Sequence, residues 1–432
     1  MSPLLQRALI LYAPIFTVAA LVLWRKPDRR WAGGLLLGFL WSVVTIVALS
    51  AVATAEGWWR LSAQDHLWLG VPVDLLIGWA LFWGPLPALL FPKRPFATAA
   101  GVFWFDLWIM PSMSGVLGLG RDWVVGEFLG VVFCLLPALL ITAWTRDDQR
   151  LPLRVGAQVA IFGGLNLMVV LAVLQARDPG WATHLAGMGA LKLGVLAQSL
   201  AVPAVIAAAA VSEFRRVGRG TPFPYDPPVR LVVSGPYAYV ANPMQLAMTA
   251  GFLILAAFTG AFQLAFAGVV AAAIAAGIAR WHEGEQLKMR FGDEWERYCR
   301  TVRRWIPHRR PVWAREAAYA PSTLYISATC RLCTPVGRWI ELKHPYGLRV
   351  VPAERLETPV RRALYLPAGA SRTQGAEREG VAALAKALEH VNLAWAFAGW
   401  IVLFPGVSAV AQLIADAVGA GPRDLAASTN RA

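Results

Sequence analysis

The chain has 432 residues, of which 57% are hydrophobic and only 15% are charged, whereas soluble domains carry about 25% charged residues. A soluble globule of this size could not bury so much apolar surface, so the composition excludes a disordered chain, a disulfide-stapled scaffold and an ordinary soluble enzyme. The net charge of +14 suggests either nucleic-acid binding or the basic cytoplasmic loops of a membrane protein. The sequence therefore predicts a polytopic membrane protein.

Nine apolar runs have about the length that a membrane span requires. They lie at residues 8–24, 33–53, 69–92, 96–116, 124–144, 155–175, 186–211, 244–260 and 262–280. The last two meet at Gly260, which indicates a tight helical hairpin. Residues 1–24 lack a small-residue cleavage site before their basic flank, so we interpret the first run as a retained span. These runs predict an all-α bundle of about nine spans.

Basic residues alternate along the loops between these runs. Several are present in the loops near residues 25–30, 93–94, 146–154 and 215–230, whereas the loops between them contain one each. The positive-inside rule then places the N-terminus outside and everything after Arg280 in the cytoplasm, and we expect the bacterial inner (plasma) membrane. The basic residues form no single stripe interleaved with aromatic residues, so we expect no nucleic-acid partner.

Four charged residues fall within the apolar runs, namely Asp74, Asp106, Glu127 and Lys192. A charge within a span is costly and is by default a functional candidate. Asp74 and Glu127 could instead lie near span ends. Asp106 and Lys192 lie deeper in their runs, where they could pair with each other or line a polar cavity.

Residues 212–243 contain six prolines and four arginines and cannot form a spanning helix. We predict an ordered cytoplasmic loop in which Gly235, before Pro236, permits a tight turn. Pro243 fits the first turn of the following helix, with Asn242 as its cap. A helix start beside this turn favours a carboxylate or another anion. Gly-Pro turns are also common in membrane loops, so a purely structural turn is the alternative.

An amphipathic helix is predicted after the hairpin, beginning at Trp281. Its apolar residues recur at helical spacing at positions 287, 291, 295, 298 and 302. Glu283 falls at the edge of this apolar stripe, whereas Glu285 points away from it. An acid on a buried face needs a partner, so Glu283 is the better functional candidate.

Three segments in this order carry a family resemblance: GTPFPYDPP, then SGPYAYVANPMQLA, then, after the apolar hairpin, EGEQLKMRFGDEWERYCRTVRRWIP. They resemble the isoprenylcysteine carboxyl methyltransferase family, which is similar in turn to the phospholipid methyltransferases. The resemblance covers about residues 200–308. It implies an integral-membrane methyltransferase that binds S-adenosylmethionine at the cytoplasmic face. The implied acceptor is lipophilic, either an isoprenylcysteine-like carboxylate or a lipid amine or hydroxyl.

The resemblance also implies a set of site residues, to which we add Glu285 and Tyr239 from the residues alone. The cofactor set comprises Gly235, Pro236, Tyr237, Asn242, Pro243, Glu283 and Glu285, and the catalytic set comprises Glu283, Asn242 and Tyr239. A carboxylate acceptor needs no base, whereas an amine or phenol needs one, for which Glu283, His282 or Tyr239 could serve. The chain departs from the family pattern at Ala238 and Ala241, where arginine is usual, at Gln245, where tyrosine is usual, and at Gly284, where a second acid is usual.

The C-terminal part has a different character. A strand-like run at residues 323–328 precedes Cys330 and Cys333, and a helical pattern follows at 335–342. Two cysteines spaced in this way between a strand and a helix are typical of thioredoxin-like redox sites, because the helix N-terminus stabilises a thiolate. The alternative is half of a zinc site. It lacks a second cysteine pair, because Cys134 and Cys299 lie elsewhere in the sequence, and we expect no metal.

Residues 322–425 resemble the DCC-type thiol-disulfide oxidoreductase-like domains, which implies a small cytoplasmic α/β thioredoxin-like domain. That family usually has Asp-Gly-x before the first cysteine, where this chain has Ser327, Ala328 and Thr329. Residues 391–421 are apolar enough for a tenth span. Pro405 near their centre and the family pattern favour a soluble interpretation.

We thus predict an N-terminal bundle at 1–180, a methyltransferase-like core at 181–310, a linker at 311–321, a thioredoxin-like domain at 322–425 and a tail at 426–432. The predicted function is methyl transfer from S-adenosylmethionine to a lipophilic substrate, with membrane lipid as a partner. Two alternatives remain open. One is a transport or scaffold protein with a vestigial methyltransferase hairpin, which the intramembrane charges favour. The other is a membrane-tethered thiol-disulfide oxidoreductase.

Overall fold

Two units divide the chain in the computed structural model, which describes residues 2–62, 65–221, 228–278, 284–312, 321–356, 360–368, 377–404 and 406–422. The first unit comprises residues 1–186 and 221–227, and the second comprises residues 187–220 and 228–432. Helices and strands are numbered below in chain order. Each unit has its own buried core.

The first unit is almost entirely helical. Its helices are α1 (Pro3–Arg25), α2 (Arg29–Ala55), α3 (Val73–Trp83), α4 (Pro85–Leu90), α5 (Pro95–Ile109), α6 (Trp123–Gly130), α7 (Leu136–Arg146), α8 (Leu151–Arg177) and α9 (Trp181–Ala186), and a π-helical turn, Val131–Leu135, joins α6 to α7. Short strands pair in the loops: β1 (Trp59–Leu61) with β4 (Leu117–Leu119), and β2 (Leu67–Trp68) with β3 (Val71–Pro72). Asp28 caps the N-terminus of α2, where its carboxylate accepts a 2.8 Å hydrogen bond from the Trp31 N–H.

Small residues let α2 and α7 pack closely. A β-carbon at Gly34 would lie 2.8 Å from the Thr142 carbonyl oxygen, and one at Gly38 would lie 2.6 Å from the Thr142 hydroxyl. That hydroxyl donates a 3.0 Å hydrogen bond to the Gly34 carbonyl. Close approach through glycine, with a hydroxyl bond between helices, is a common way for helices to associate in a membrane.

The second unit contains α10 (Ala190–Arg216), a 3₁₀ turn at Gly235–Ala238, α11 (Pro243–Thr259), α12 (Phe262–Ile278) and α13 (Gly284–Thr301). Gly260, in the left-handed region with φ of 67°, ends α11 and permits the tight connection to α12. Helix α13 is amphipathic, as its sequence predicts. It buries Tyr298 and is interrupted at Gly292, where φ is 51°.

The C-terminal part of this unit contains β5 (Ser322–Ile326), α14 (Cys333–Leu342), β6 (Leu348–Pro352), β7 (Leu364–Leu366), β8 (Arg378–Glu379), α15 (Val381–Leu388), α16 (Leu393–Leu403) and α17 (Val407–Ala415). The strands form a sheet in the order β6-β5-β7-β8. Strands β5 and β6 are parallel and are connected through α14, whereas β7 and β8 extend the sheet antiparallel. This is a small α/β sheet, and its assignment as thioredoxin-like remains a prediction.

Six helices among the described residues are long and apolar enough to cross a membrane: Pro3–Arg25, Arg29–Ala55, Val73–Leu90, Trp123–Arg146, Leu151–Arg177 and Ala190–Arg216. The predicted count of nine is not confirmed. The other three predicted runs coincide with α5, α11 and α12, which are 15 to 17 residues long. A full crossing takes about 20 helical residues, so these helices are short for spans.

Helices α16 and α17 occupy the stretch that could have formed a tenth span. They meet at an angle of 91°. Neither helix alone is long enough to cross a membrane, whereas the two together have the length and hydropathy of one span. Pro405 lies outside the described residues. Helix α16 buries Ala396 and Trp400 in a cluster with Val205 and Ile206 of α10, so it packs against a predicted span of its own unit.

Candidate cofactor site

The Gly-Pro-Tyr segment forms a buried 3₁₀ turn, Gly235–Ala238. Gly235 has a φ of 60°, which residues with a side chain rarely adopt. A β-carbon at this position would also collide with the side chain of Glu213 on α10. Glycine is therefore required here both by backbone conformation and by contact with Glu213.

Glu213 belongs to a buried group of charges, the lysine cluster, which also contains Lys386 and Glu389. The Lys386 ammonium donates hydrogen bonds to both carboxylates, and its distance to Glu389 Oε2 is 2.6 Å. Ser234 Oγ donates to Glu213 at 3.0 Å, and Trp400 Nε1 donates to Glu389 at 3.1 Å. Each carboxylate thus has a charged and a neutral donor, as buried ions require.

Burial and the neighbouring opposite charges shift the pKa values of the lysine cluster in opposite directions. Burial raises the pKa of Glu389 to about 7, although Lys386 acts in the opposite direction. Burial alone would lower the pKa of Lys386, but the two carboxylates outweigh burial and the net shift is upward. Arg378 is close enough to interact electrostatically with both acids. The lysine is therefore held charged.

Tyr239 connects the turn to the lysine cluster. Its ring is fully buried and meets the Trp400 ring edge-on at 5.9 Å. Its hydroxyl donates a 2.7 Å hydrogen bond to the backbone carbonyl of Glu389. Burial raises the pKa of this phenol. A hydroxyl that is neutral and already donating favours a positioning role over the predicted role as a base.

Asn242 is the N-cap residue of α11, and Pro243 is the first helical residue, as the sequence predicts. The Asn242 side chain makes no capping hydrogen bond among the described residues. Its backbone carbonyl accepts from the Leu246 N–H at 3.0 Å. The first-turn N–H groups of this 17-residue helix, together with the Asn242 amide, therefore form a donor set suited to an anion.

A second set of contacts fixes the loop from the other side. The Ala241 N–H donates to the Arg303 carbonyl at 2.9 Å, and the His308 N–H donates to the Tyr239 carbonyl at 2.9 Å. The Tyr298 hydroxyl of α13 donates to the Tyr237 carbonyl at 3.0 Å. The turn is thus bonded to α13 and to the segment after it.

The predicted site residues fall into two groups. Gly235, Pro236, Tyr237, Asn242 and Pro243 lie in one ordered stretch from the turn to the start of α11. Glu285 belongs to the first turn of α13. Glu283, with the neighbouring Trp281 and His282, lies outside the described residues.

Sequence analysis missed the residues that support the turn. Glu213 is the last acid of α10, and Lys386 and Glu389 are spaced by three residues in the otherwise apolar stretch AALAKALEHV. Two opposite charges one helical turn apart in an apolar helix signal a buried ion pair. The sequence thus indicates a Lys386–Glu389 pair, but nothing in it indicates that Glu213 completes the lysine cluster.

The cysteine motif forms a separate, partly buried site. Cys330 is buried at the end of a loop, and Cys333 is the first residue of α14. The Cys333 N–H donates to Cys330 Sγ at 3.3 Å. Ser327 Oγ accepts hydrogen bonds from the N–H groups of Thr329 and Cys330, which holds the loop in a tight turn.

Glu354 supplies an acid beside this loop that the sequence motif lacks. Its carboxylate accepts a 2.8 Å hydrogen bond from Ser327 Oγ and a 3.1 Å bond from the Ala328 N–H. Burial acts to raise the pKa of Glu354, but the hydrogen bonds it accepts outweigh burial, and the net shift is downward. Within the described residues, no three His, Cys, Asp or Glu side chains are grouped as a metal site.

Residues 192–294 match the family model of the phospholipid methyltransferases. The matched segment contains most of α10, the Gly235 turn, the α11–α12 hairpin and the first half of α13, and the match supports a membrane methyltransferase. No curated protein and no solved structure matches the chain. The resemblance of residues 322–425 to DCC-type domains remains a prediction.

Proposed function

We propose that the protein is an integral-membrane methyltransferase that uses S-adenosylmethionine and methylates a lipophilic substrate at the cytoplasmic face. The observation that carries the proposal is the family match over residues 192–294. The same segment holds a buried glycine turn followed by a helix start that is not capped by a side chain. Sequence similarity and local geometry thus favour the same region.

The donor set at the start of α11 fits the carboxylate of S-adenosylmethionine. The Asn242 amide and the first-turn N–H groups of α11 would hold that carboxylate at the positive end of the helix dipole. Glu283, and Glu285 in the first turn of α13, are the proposed partners of its ammonium group. When bound, the cofactor supplies an electrophilic methyl group on a sulfonium.

Positioning and exclusion of water are then the main tasks of the chain. Hydrogen bonds of Ser234, Tyr239 and Tyr298 fix the Gly235–Ala238 turn from both sides, which favours a defined backbone near the helix start. An amine or hydroxyl acceptor would lose its proton to a base, for which we propose Glu283. Asn242 would orient the cofactor, and Tyr239 would act as a positioning residue.

The apolar surroundings of the turn favour an uncharged or amine acceptor over a prenylcysteine carboxylate. Ala238 is buried, and Ala241 packs in a cluster with Tyr298, Val302 and Val312. A carboxylate acceptor would need a cation, and in this chain Arg230, Arg303 or Arg304 would have to supply it in place of the two alanines. We therefore propose a lipid amine or hydroxyl as the acceptor.

Calorimetric titration of the full-length protein with S-adenosylmethionine tests the proposal. We expect saturable binding that Glu283→Ala and Asn242→Ala each weaken at least about tenfold, because each removes a charged or directed polar contact. Glu341→Ala, on the exposed surface of α14, is the matched control and should bind normally. Undiminished binding by both site variants, with melting temperatures unchanged, would contradict the proposed site.

The loop that carries Cys330 and Cys333 supports a second candidate function, thiol-disulfide exchange. The Cys333 N–H aimed at Cys330 Sγ, at the start of a ten-residue helix, would stabilise a thiolate on Cys330. In this reaction the two thiols form a disulfide while a substrate disulfide is reduced to two thiols. Alkylation with a mass tag after equilibration in glutathione buffers should show a reversible two-electron transition that Cys330→Ser abolishes.

A further inference from the structure

A cavity of about 590 Å³ lies in the first unit, among α1, α2, α3, α5 and α6. Five aromatic rings line it: Trp59, Trp79, Phe82, Trp83 and Phe105. Its volume falls within the range of small-molecule sites, which are lined by apolar and aromatic groups with a few polar groups. The methyltransferase proposal makes no use of this cavity.

Two buried acids, Asp106 and Glu127, also line the cavity and are here named the carboxyl pair. They are 5% and 1% exposed and are close enough to interact electrostatically. Trp83 Nε1 donates to Asp106 at 3.1 Å. Two buried carboxylates that interact at close range, with no cation of the described residues lining the cavity, repel each other too strongly for both to be ionised, so one of them holds a proton. The pair therefore carries at most one negative charge.

One oxygen of the carboxyl pair lacks a donor. Glu127 Oε1 is buried and has no hydrogen-bond partner among the described residues, and the same holds for Gln6 Oε1, whose side chain lines the same cavity. A buried polar oxygen without a donor is destabilising, and native proteins rarely retain one without a reason. Two such oxygens at one cavity indicate that a donor is missing there.

The first unit does not supply that donor from its described residues. No lysine or arginine of this part lines the cavity. Arg7, adjacent to Gln6, forms a two-point ion pair with Asp74 at 2.7 and 3.0 Å and a further bond to Asp65. The nearest arginine in sequence is therefore fully engaged elsewhere.

We infer that this cavity is a binding site for a lipophilic ammonium ion that carries at least one N–H. The N–H would donate to Glu127 Oε1, and the positive charge would balance the singly ionised carboxyl pair. Tryptophan and phenylalanine faces attract an organic cation, and the remaining apolar volume would take its hydrocarbon body. A bare metal ion fits poorly, because hard cations need six or more oxygen ligands.

Calorimetry on the full-length protein in lipid nanodiscs tests this site with 4-phenylbutylammonium chloride, with the heat from empty nanodiscs subtracted. We expect saturable one-to-one binding. The uncharged analogue 4-phenylbutanol should bind at least about tenfold more weakly, because it leaves the buried charge unbalanced. Equal binding of the alcohol would overturn the proposal.

Variants locate the site. The double variant Glu127→Gln with Asp106→Asn should weaken amine binding at least about tenfold, since it removes the negative charge of the carboxyl pair. Asp122→Asn, at the exposed N-cap of α6, should bind normally. Unchanged amine binding by the double variant would overturn the proposal.

A measurement on the wild-type protein guards against variants that fail to fold. Dicyclohexylcarbodiimide reacts with protonated carboxyl groups in apolar surroundings, and mass spectrometry locates the adduct. We expect modification within the carboxyl pair that 4-phenylbutylammonium prevents and 4-phenylbutanol does not. Modification that proceeds at the same rate with and without the amine would overturn the proposal.

Discussion

The lysine cluster and the carboxyl pair each bury two acids, but they differ in what surrounds those acids. In the lysine cluster, Glu213 and Glu389 share an ammonium group, and each also accepts a hydrogen bond from a neutral donor. The carboxyl pair has one indole donor and no cation, and one of its oxygens has no partner in the described part of the chain.

This difference distinguishes a buried charge cluster that stabilises the fold from one that binds a ligand. Buried charges that the protein satisfies itself hold elements together, and here they connect α10, the Gly235 turn and α15. Buried charges that the protein leaves unsatisfied point to a ligand or a proton. Burial of an acid therefore does not by itself identify a functional site; its hydrogen-bond partners do.

Lys386→Met should have the largest effect on stability. It removes the ammonium group that bonds both Glu213 and Glu389, and breaking a buried ion pair from one side costs about 3–5 kcal/mol. The change should be visible in denaturant unfolding of the full-length protein. Lys288→Met is the control, because Lys288 forms an exposed pair with Glu296 and such pairs contribute about 0–1 kcal/mol.

A second substitution distinguishes lost pairing from lost packing in the lysine cluster. In the background of Lys386→Met, replacement of Glu213 and Glu389 by glutamine should restore part of the lost stability, because no uncompensated charge then remains. No recovery would show that packing of the lysine stem, not charge pairing, accounts for the loss.

Gly235→Ala should have the second-largest effect on stability. We expect the free energy of unfolding to fall by about 2–3 kcal/mol, because alanine is strained in the left-handed region and its β-carbon would collide with Glu213. Gly251→Ala in α11 is the matched control. Its β-carbon would meet nothing within 4 Å, so the change should stabilise the helix by roughly 0.5–1 kcal/mol. Thermal unfolding of both variants measures the contrast, and equal effects would contradict the packing of the turn on Glu213.

His390, beside the lysine cluster, should make stability depend on pH. Burial lowers its pKa to about 3, and the unfolded chain has a value of about 6.5. As pH falls below 6.5, the unfolded state takes up a proton that the folded state refuses, so stability is lost. Relative to His390→Gln, the wild type should lose up to about 1.4 kcal/mol between pH 6.5 and 5.5. A pH-independent difference between the two would contradict a neutral, buried His390.

Glu127→Gln should have the smallest effect, within about 1 kcal/mol of the wild type. The glutamine amide can donate to Asp106 without a shared proton, and no cation is left unpaired. Thermal unfolding without added amine measures this value. A loss as large as that of Lys386→Met would show that the carboxyl pair is a structural element like the lysine cluster.

The helices and turns that depend on residues close in sequence were predictable. Hydrophobic length located six helices that can span a membrane, and the Gly235-Pro236 and Asn242-Pro243 pairs marked a turn and a helix start that the structure contains. These features depend on residues close in sequence. The three shorter helices are not confirmed as spans, because hydropathy alone does not show where a helix ends.

Contacts distant in sequence were not predictable. Lys386 meets Glu213 across 173 positions, and Glu354 meets Ser327 across 27, so no local pattern connects them. The carboxyl pair was also missed, since Glu127 looked like a residue near a span end. Asp106 and Glu127 each stand out as charged residues within apolar runs, but their proximity depends on tertiary packing.

Methyl transfer itself is the most direct test of the proposed function. The purified protein, reconstituted in vesicles of total bacterial lipid with S-adenosylmethionine labelled on its methyl group, should place the label in a lipid species detected by untargeted mass spectrometry. Glu283→Ala should abolish the labelled species, whereas Glu341→Ala should retain it. Absence of any labelled lipid with the wild-type protein, under conditions where S-adenosylmethionine binds, would contradict the proposed activity.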